Sequence, residues 1–235
     1  MLFKKNQKQP SIAFLGLAQN CANELELFFS FIEKIQNDFG KIYLFIGEND
    51  SNDNTFKKLR DYKNIKITKK IINTSFMKKY SYRLEKMARG RNYISKFTKG
   101  LKLDYVVWLD LDNVLSNGIS KKEFLNSIKI LNKNKNLFGV SAISIPYYYD
   151  ILSLRIKGYF MKNILYISNI KKLFQGYNFR KNNIYDIQKK INKTAKLSIS
   201  SFNGMCIYKY KYYKVSSYIN FNKSLKKIRE QVEHV

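Results

Sequence analysis

Two aspartates, Asp110 and Asp112, stand one residue apart in "YVVWLDLDNVL", residues 105–115, directly after an apolar and aromatic run. A run of this kind reads as a buried strand, and at a strand end alternate residues point to the same side. Both carboxylates then face one ligand. Two converging carboxylates suit a hard divalent cation that keeps some waters and takes its remaining ligands from a diphosphate. Such a cation neutralises charge on a departing phosphate. The plain alternative is a solvated turn that happens to carry two acids.

Two further stretches carry chemistry. "ENDSNDNT", residues 48–55, crowds acids and amides, among them Glu48 and Asp50, into one turn. Such side chains hydrogen-bond a nucleobase or ribose, although Ser51, Asp53 or Asn54 equally serve as helix caps. "RLEKMARGRN", residues 83–92, holds Arg83, Arg89 and Arg91. Only seven of the 44 basic residues are arginine, yet three fall within nine positions. The guanidinium is a planar fork for phosphate oxygens; solvated charge on a helix is the bland reading.

The elements that must position these residues alternate. Strands are expected at 12–17, 42–47 and 65–68, and in the apolar run from Tyr105 that precedes Asp110 and Asp112. Helices are expected at 23–37, where apolar residues recur at Leu25, Phe28, Phe29, Ile32 and Ile35, at 55–60, and at 81–97. Further on, a helix at 121–131, a strand at 138–145 and a turn followed by a strand in "SFNGMCIYKYKYYK" complete the reading. Residues 161–195 give no clear pattern. Apolar strands alternating with helices predict an α/β fold, a mostly parallel sheet covered on both faces. Ligands of such sheets bind at the carboxyl ends of the strands. Glu48 and Asp50, Asp110 and Asp112 all fall at such ends.

The chain has 235 residues and a formal net charge of +27. That charge points to anionic partners: nucleic acid, an acidic membrane surface or phosphorylated substrates. Abundant Lys, Asn, Ile, Tyr and Phe, all with A/T-rich codons, give codon bias as a second source of it. The two cysteines, Cys21 and Cys206, lack metal or disulfide spacing and fit a reducing cytosol. The basic N-terminus lacks the apolar run of a signal peptide. No stretch reaches the ~18 apolar residues of a spanning helix. A cytoplasmic protein, at most peripheral to the inner face of a membrane, is the expectation.

Taken in order, "LAQNCANEL", "ENDSNDNT", "RLEKMARGRN", "DYVVWLDLDNV", "YYYDILSLR" and "SFNGMCIYK" resemble the blocks of nucleotide-sugar glycosyltransferases of the GT-A fold. The similarity is to bacterial and viral relatives of the fungal capsule-associated α-1,3-mannosyltransferases, with "DLD" as the DxD motif. It covers most of residues 11–210. The resemblance implies a single GT-A domain over 11–235, with a nucleotide-sugar-binding half at 11–115 and an acceptor half at 116–235. It implies that Asp112 binds Mn²⁺ or Mg²⁺ and that Asp110 contacts the metal or the ribose. It further implies that Glu48 and Asp50, with Asn20 nearby, hold the nucleoside, and that the arginine helix, with Arg83, Arg89, Arg91 and Asn92, lies near the diphosphate or sugar. Asp150 and Arg155 fall on the acceptor or donor-sugar side, Asp150 as the candidate base. His234 is the candidate late metal ligand. Relatives continue beyond an "EHV" segment like residues 233–235, so a longer chain is expected.

The activity implied is transfer of a sugar from a UDP- or GDP-linked donor to a hydroxyl on a glycan or lipid-linked acceptor, in lipopolysaccharide or capsule synthesis. Two other classes stay open. "WLDLDNVLSNG" also resembles the first motif of haloacid-dehalogenase-type phosphatases, with Asp110 as nucleophile and Asp112 as acid/base, but the downstream acidic pair of that family is missing. A basic nucleic-acid-binding protein is the other, because "YKYKYYK" interleaves lysine with rings that could stack on bases; no nucleic-acid motif accompanies it, and nucleic acid is not the expected partner.

Overall fold

The computed structural model describes residues 9–81, 83–112, 118–142, 198 and 201–218. The chain divides into two compact units, and most described residues belong to the first, which runs to Val140 and returns for 204–217. Its elements alternate as the sequence predicts. They are β1 (Ser11–Ala18), α1 (Ala22–Ile35), β2 (Lys41–Glu48), α2 (Thr55–Asp61), β3 (Ile67–Asn73), α3 (Arg83–Ser95), β4 (Tyr105–Asp110) and α4 (Lys121–Lys133). Then follow β5 (Gly139–Ser141), β6 (Met205–Lys209) and the one-turn helix α5 (Tyr210–Tyr213). No described helix is long and apolar enough to cross a membrane.

The strands form one six-stranded sheet in the order β3-β2-β1-β4-β6-β5. β3, β2, β1 and β4 run parallel, and β6 returns antiparallel to β4. The expected mostly parallel α/β sheet is therefore present. From β1 the chain first builds outward through β2 and β3, then crosses back to lay β4 on the other side of β1. Between β1 and β4 the strand order reverses, and crevices at such switch points are where open parallel sheets bind ligands.

Alternation along the strands sorts the core into two faces. Ile12 and Phe14 of β1, Ile42, Leu44 and Ile46 of β2 and Val107 and Leu109 of β4 are buried together with the apolar stripes of α1 and α4. Phe14 is the centre of this face. Its ring lies 6.2 Å from Phe28 and from Phe31, both edge-on, and 5.9 Å from Phe124, stacked. Burial of one such ring stabilises the fold by about 1.5–3 kcal/mol. The opposite face is covered by α3, which can approach closely because two glycines make room. A Cβ on Gly90 would lie 2.6 Å from Met77 Sδ, and one on Gly47 2.6 Å from Ile94 Cδ1.

The boundary that differs most from the sequence reading is that of β3, which covers Ile67–Asn73 where 65–68 was expected; the strand expected at 138–145 is Gly139–Ser141, with 143–145 outside the described residues. β3 is an edge strand, and only Ile72 in it is fully buried. Its lysines hide the strand pattern, as charges on sheet edges often do. Lys69 has a local reason to be there: its Nζ donates to the carbonyls of Arg60 (3.1 Å), Tyr62 (2.5 Å) and Leu59, the otherwise open C-terminal acceptors of α2. At α4 the N-cap is conventional, with Ser120 Oγ accepting from the Glu123 N–H at 3.4 Å.

Candidate functional site

Strand register brings the predicted acids to one edge. Leu17 is paired with Asp110, Ala18 with Glu48, and Glu48 with Asn73, so four parallel strands end at one level. Glu48 and Asp110 are two strands apart, about 10 Å at ordinary strand spacing. Leu109 and Leu111 both pack into the α1/α4 face. Asp110, between them, faces the α3 side, and Asp112 follows as an exposed residue at the bend that ends the strand.

Asp110 is supported from behind. Arg91 Nη2 donates to Asp110 Oδ1 at 3.3 Å, with the Arg91 side chain 3% exposed and that of Asp110 23% exposed. A cation this deeply buried requires a charged or polar partner, and it also lies over the Trp108 ring, 5.6 Å from its centre. Arg91, expected near the diphosphate or sugar, lies in the structure against the carboxylate that ends β4. Gly90, its neighbour, lets α3 sit on Leu17 at the end of β1 and so brings Arg91 within reach.

The loops after β1 and β2 are fastened to each other. The Gln19 side chain donates to the Asn49 carbonyl (2.9 Å), the Asn20 N–H to Ser51 Oγ (3.1 Å) and the Asn52 N–H to Asn20 Oδ1 (2.8 Å). The Ala22 N–H donates to Asp53 Oδ2 (3.1 Å), and the Cys21 N–H to Thr55 Oγ1 (2.8 Å). Within the second loop, the Glu48 carboxylate accepts from the N–H groups of Asp50 (3.2 Å) and Ser51 (2.7 Å). Asn20 and Asp50 both have φ of 51°, a left-handed conformation that Asn and Asp tolerate better than other L residues. Asp50 accepts from Ser75 Oγ (2.7 Å) and pairs with Lys78 at 2.7 Å; the bonds from Lys78 and Ser75 hold its carboxyl below the ordinary value. For Asp53, desolvation pushes the carboxyl upward, but its bonds to Thr55 and Ala22 outweigh that and lower it.

Glu48, Asp50 and Asn20 thus meet in one loop cluster beside the end of β4. Two of them use side-chain oxygens to shape it. Arg83 is exposed at the first turn of α3. Arg89 pairs with Glu85 one turn back at 2.8 Å and lies over the Tyr80 ring at 4.2 Å. Asn92 is half-buried beside Arg91. Asp150, Arg155 and His234 lie outside the described residues. Burial pushes the Cys21 thiol up to about 11 and the Cys206 thiol up to about 12, which removes both as thiolate nucleophiles at neutral pH. Sequence reasoning passed over Gly47, Gly90 and Lys78; the two glycines, in an otherwise bulky apolar context, were the one available signal.

Carboxylate oxygens are the donor type that a hard divalent cation takes. Asp110 ends β4 and Asp112 follows two residues later as an exposed residue, and among the described residues no group of three or more His, Cys, Asp or Glu could enclose a metal.

No protein-family model matches the chain, and no curated protein matches it. Several solved structures resemble it in fold. One is the mannosyltransferase PcManGT from Pyrobaculum calidifontis in complex with GDP-Man and Mn²⁺, at 12% identity and a TM-score of 0.48, covering 92% of this chain and 49% of that one. Another is glucosyl-3-phosphoglycerate synthase from Mycobacterium tuberculosis with Mn²⁺, UDP and phosphoglyceric acid, at 8% identity and 0.43, covering 86% and 56%. A third is the mannosyltransferase Ktr4p from S. cerevisiae, at 14% identity and 0.38, covering 89% and 58%. The chain spans about half the length of the first and under two thirds of the other two.

Proposed function

We propose that the chain is a GT-A type glycosyltransferase, a metal-dependent enzyme that transfers a sugar from a nucleotide diphosphate donor to a hydroxyl acceptor. The observation that carries this reading is the placement of Asp110 and Asp112 at the end of β4, at the switch point, beside the fastened loops after β1 and β2. In this reading Asp112 and Asp110 hold Mn²⁺ or Mg²⁺, which supplies charge neutralisation for the leaving diphosphate when bound. The loop cluster of Asn20, Glu48 and Asp50 presents a pre-shaped edge to the nucleoside. Glu48 acts by fixing the loop backbone, so its contribution is to keep the edge rigid rather than to reach outward. Arg83, exposed on α3, is the arginine free to approach a phosphate; Arg91 serves the site through Asp110. Preorganised groups of this kind stabilise developing charge without reorganising during the reaction.

The remaining assignments are part of the same proposal. Asp150 is the acceptor-side base, Arg155 a donor-sugar contact and His234 a further metal ligand, within one domain over residues 11–235. The acceptor is a surface glycan or lipid-linked sugar, and the excess of lysine favours an anionic acceptor or membrane surface. The test is release of nucleoside diphosphate from a panel of UDP- and GDP-sugars with Mn²⁺. One donor should turn over and chelation should abolish the turnover. Asp112→Ala should reduce it at least 100-fold. Turnover that survives both chelation and Asp112→Ala would end this reading.

A further inference from the structure

We infer that Tyr213 is a positioning residue for the carboxylate edge, holding Arg91 and through it Asp110. Tyr213 lies in α5, more than 100 residues from β4, and is 5% exposed. Its hydroxyl meets the indole Nε1 of Trp108 at 2.5 Å and Ser95 Oγ at 2.5 Å. Ser95 Oγ in turn lies 2.7 Å from the carbonyl of Arg91. Donor chemistry fixes the direction. The indole N–H only donates, and the Arg91 carbonyl only accepts. Trp108 therefore donates to Tyr213, Tyr213 donates to Ser95, and Ser95 donates to the Arg91 carbonyl.

The chain of bonds closes on the residue whose guanidinium covers Trp108 and reaches Asp110. One buried hydroxyl thus ties the strand that carries Asp110 to the helix that carries Arg91. Removing it takes away the acceptor that the buried indole N–H meets at 2.5 Å and lets α3 shift against β4. Groups that orient a metal-binding side chain typically change metal affinity 10- to 100-fold when lost. The metal-affinity part of this inference rests on the proposed function.

The chain's sole tryptophan makes the test direct. A ¹⁵N-labelled full chain gives one indole N–H signal, from Trp108, two residues before Asp110. Mn²⁺ with GDP or UDP should broaden it. In Tyr213→Phe the signal should move, its exchange with solvent should quicken, and the Mn²⁺ concentration for half-broadening should rise about 10-fold. Tyr210→Phe is the control: it removes another buried hydroxyl bond on the same helical turn, to the Thr98 carbonyl at 2.6 Å, and that hydroxyl bonds neither Ser95 Oγ nor the Trp108 indole. It should leave the Mn²⁺ midpoint within twofold. Tyr213→Phe should add nothing to the loss in Asp110→Asn. A Tyr213→Phe midpoint like that of Tyr210→Phe, or losses that multiply with Asp110→Asn, would overturn the inference. If Mn²⁺ broadens nothing in the wild type, the metal reading fails, and the relay is decided by Asp110→Asn alone: a moved indole signal supports it, an unmoved one refutes it.

Discussion

The two parts of the carboxylate edge are built by opposite means. The loops after β1 and β2 are exposed or half-buried and are held by short hydrogen bonds between side chains and backbone N–H groups. The end of β4 is held from inside, by a guanidinium with almost no solvent contact and a buried chain of donors behind it. Apart from the buried bond from the Cys21 N–H to Thr55 Oγ1, the loop bonds are reachable by water, so a lost one costs little and acts locally. At β4 a lost partner strands a buried charge, so the effect reaches both stability and the orientation of Asp110.

The largest effect that separates the two regions is expected from Arg91→Met. With the cation gone, the Asp110 carboxylate loses the partner that orients it and faces an apolar side chain, and unfolding stability should fall by about 2–4 kcal/mol, discounted because Asp110 is partly exposed. Urea unfolding checks this; a loss under 1 kcal/mol would place β4 in the same class as the loops. Gly47→Ala comes next. Its Cβ would meet Ile94, Thr74 and Leu17 within 3 Å, and overpacking of this kind costs about 1–3 kcal/mol and displaces α3. Glu48→Gln should be milder, about 1 kcal/mol by the same unfolding measurement, because an amide oxygen still accepts one of the two N–H groups.

The smallest effect is expected at Lys78→Ala, and it sharpens the comparison through its pH dependence. The Asp50 carboxyl is lowered by Lys78 first and Ser75 second. A carboxyl lower in the folded than in the unfolded state stabilises the fold above its unfolded pKa, and that contribution is lost as pH falls through the folded value. Melting temperatures of wild type and Lys78→Ala should therefore differ slightly at pH 7 and converge below about pH 4. A gap that widens on acidification would contradict the pairing.

Much of this architecture is legible in the chain itself. The uninterrupted apolar runs of β1, β2 and β4 and the stripe of α1 place four acids at strand ends, and there the structure has Glu48, Asp50, Asp110 and Asp112. β3 was misplaced because its lysines serve the end of α2 and the sheet edge rather than a core. The cluster of three arginines stood out by type, but nothing local distinguishes Arg91, which turns inward to Asp110 nineteen positions later, from Arg89, which pairs within its own helix. That difference arises from where α3 lands on the sheet, and Gly47 and Gly90 set this by packing rather than by any chemistry a motif displays. Tyr213 was hidden for the same reason. Its partners come from β4 and α3, so its role exists only once the strands are paired.

The most direct measurement is the melting temperature of the purified chain with Mn²⁺ and, in turn, UDP, GDP, CDP and ADP, beside Asp112→Ala. A ligand that binds only the folded state raises the melting temperature by mass action. The account predicts a rise with one nucleotide that requires Mn²⁺ and disappears in Asp112→Ala. A rise that is independent of the metal, or that persists in Asp112→Ala, would contradict the claim that this acid pair holds a metal-bound diphosphate.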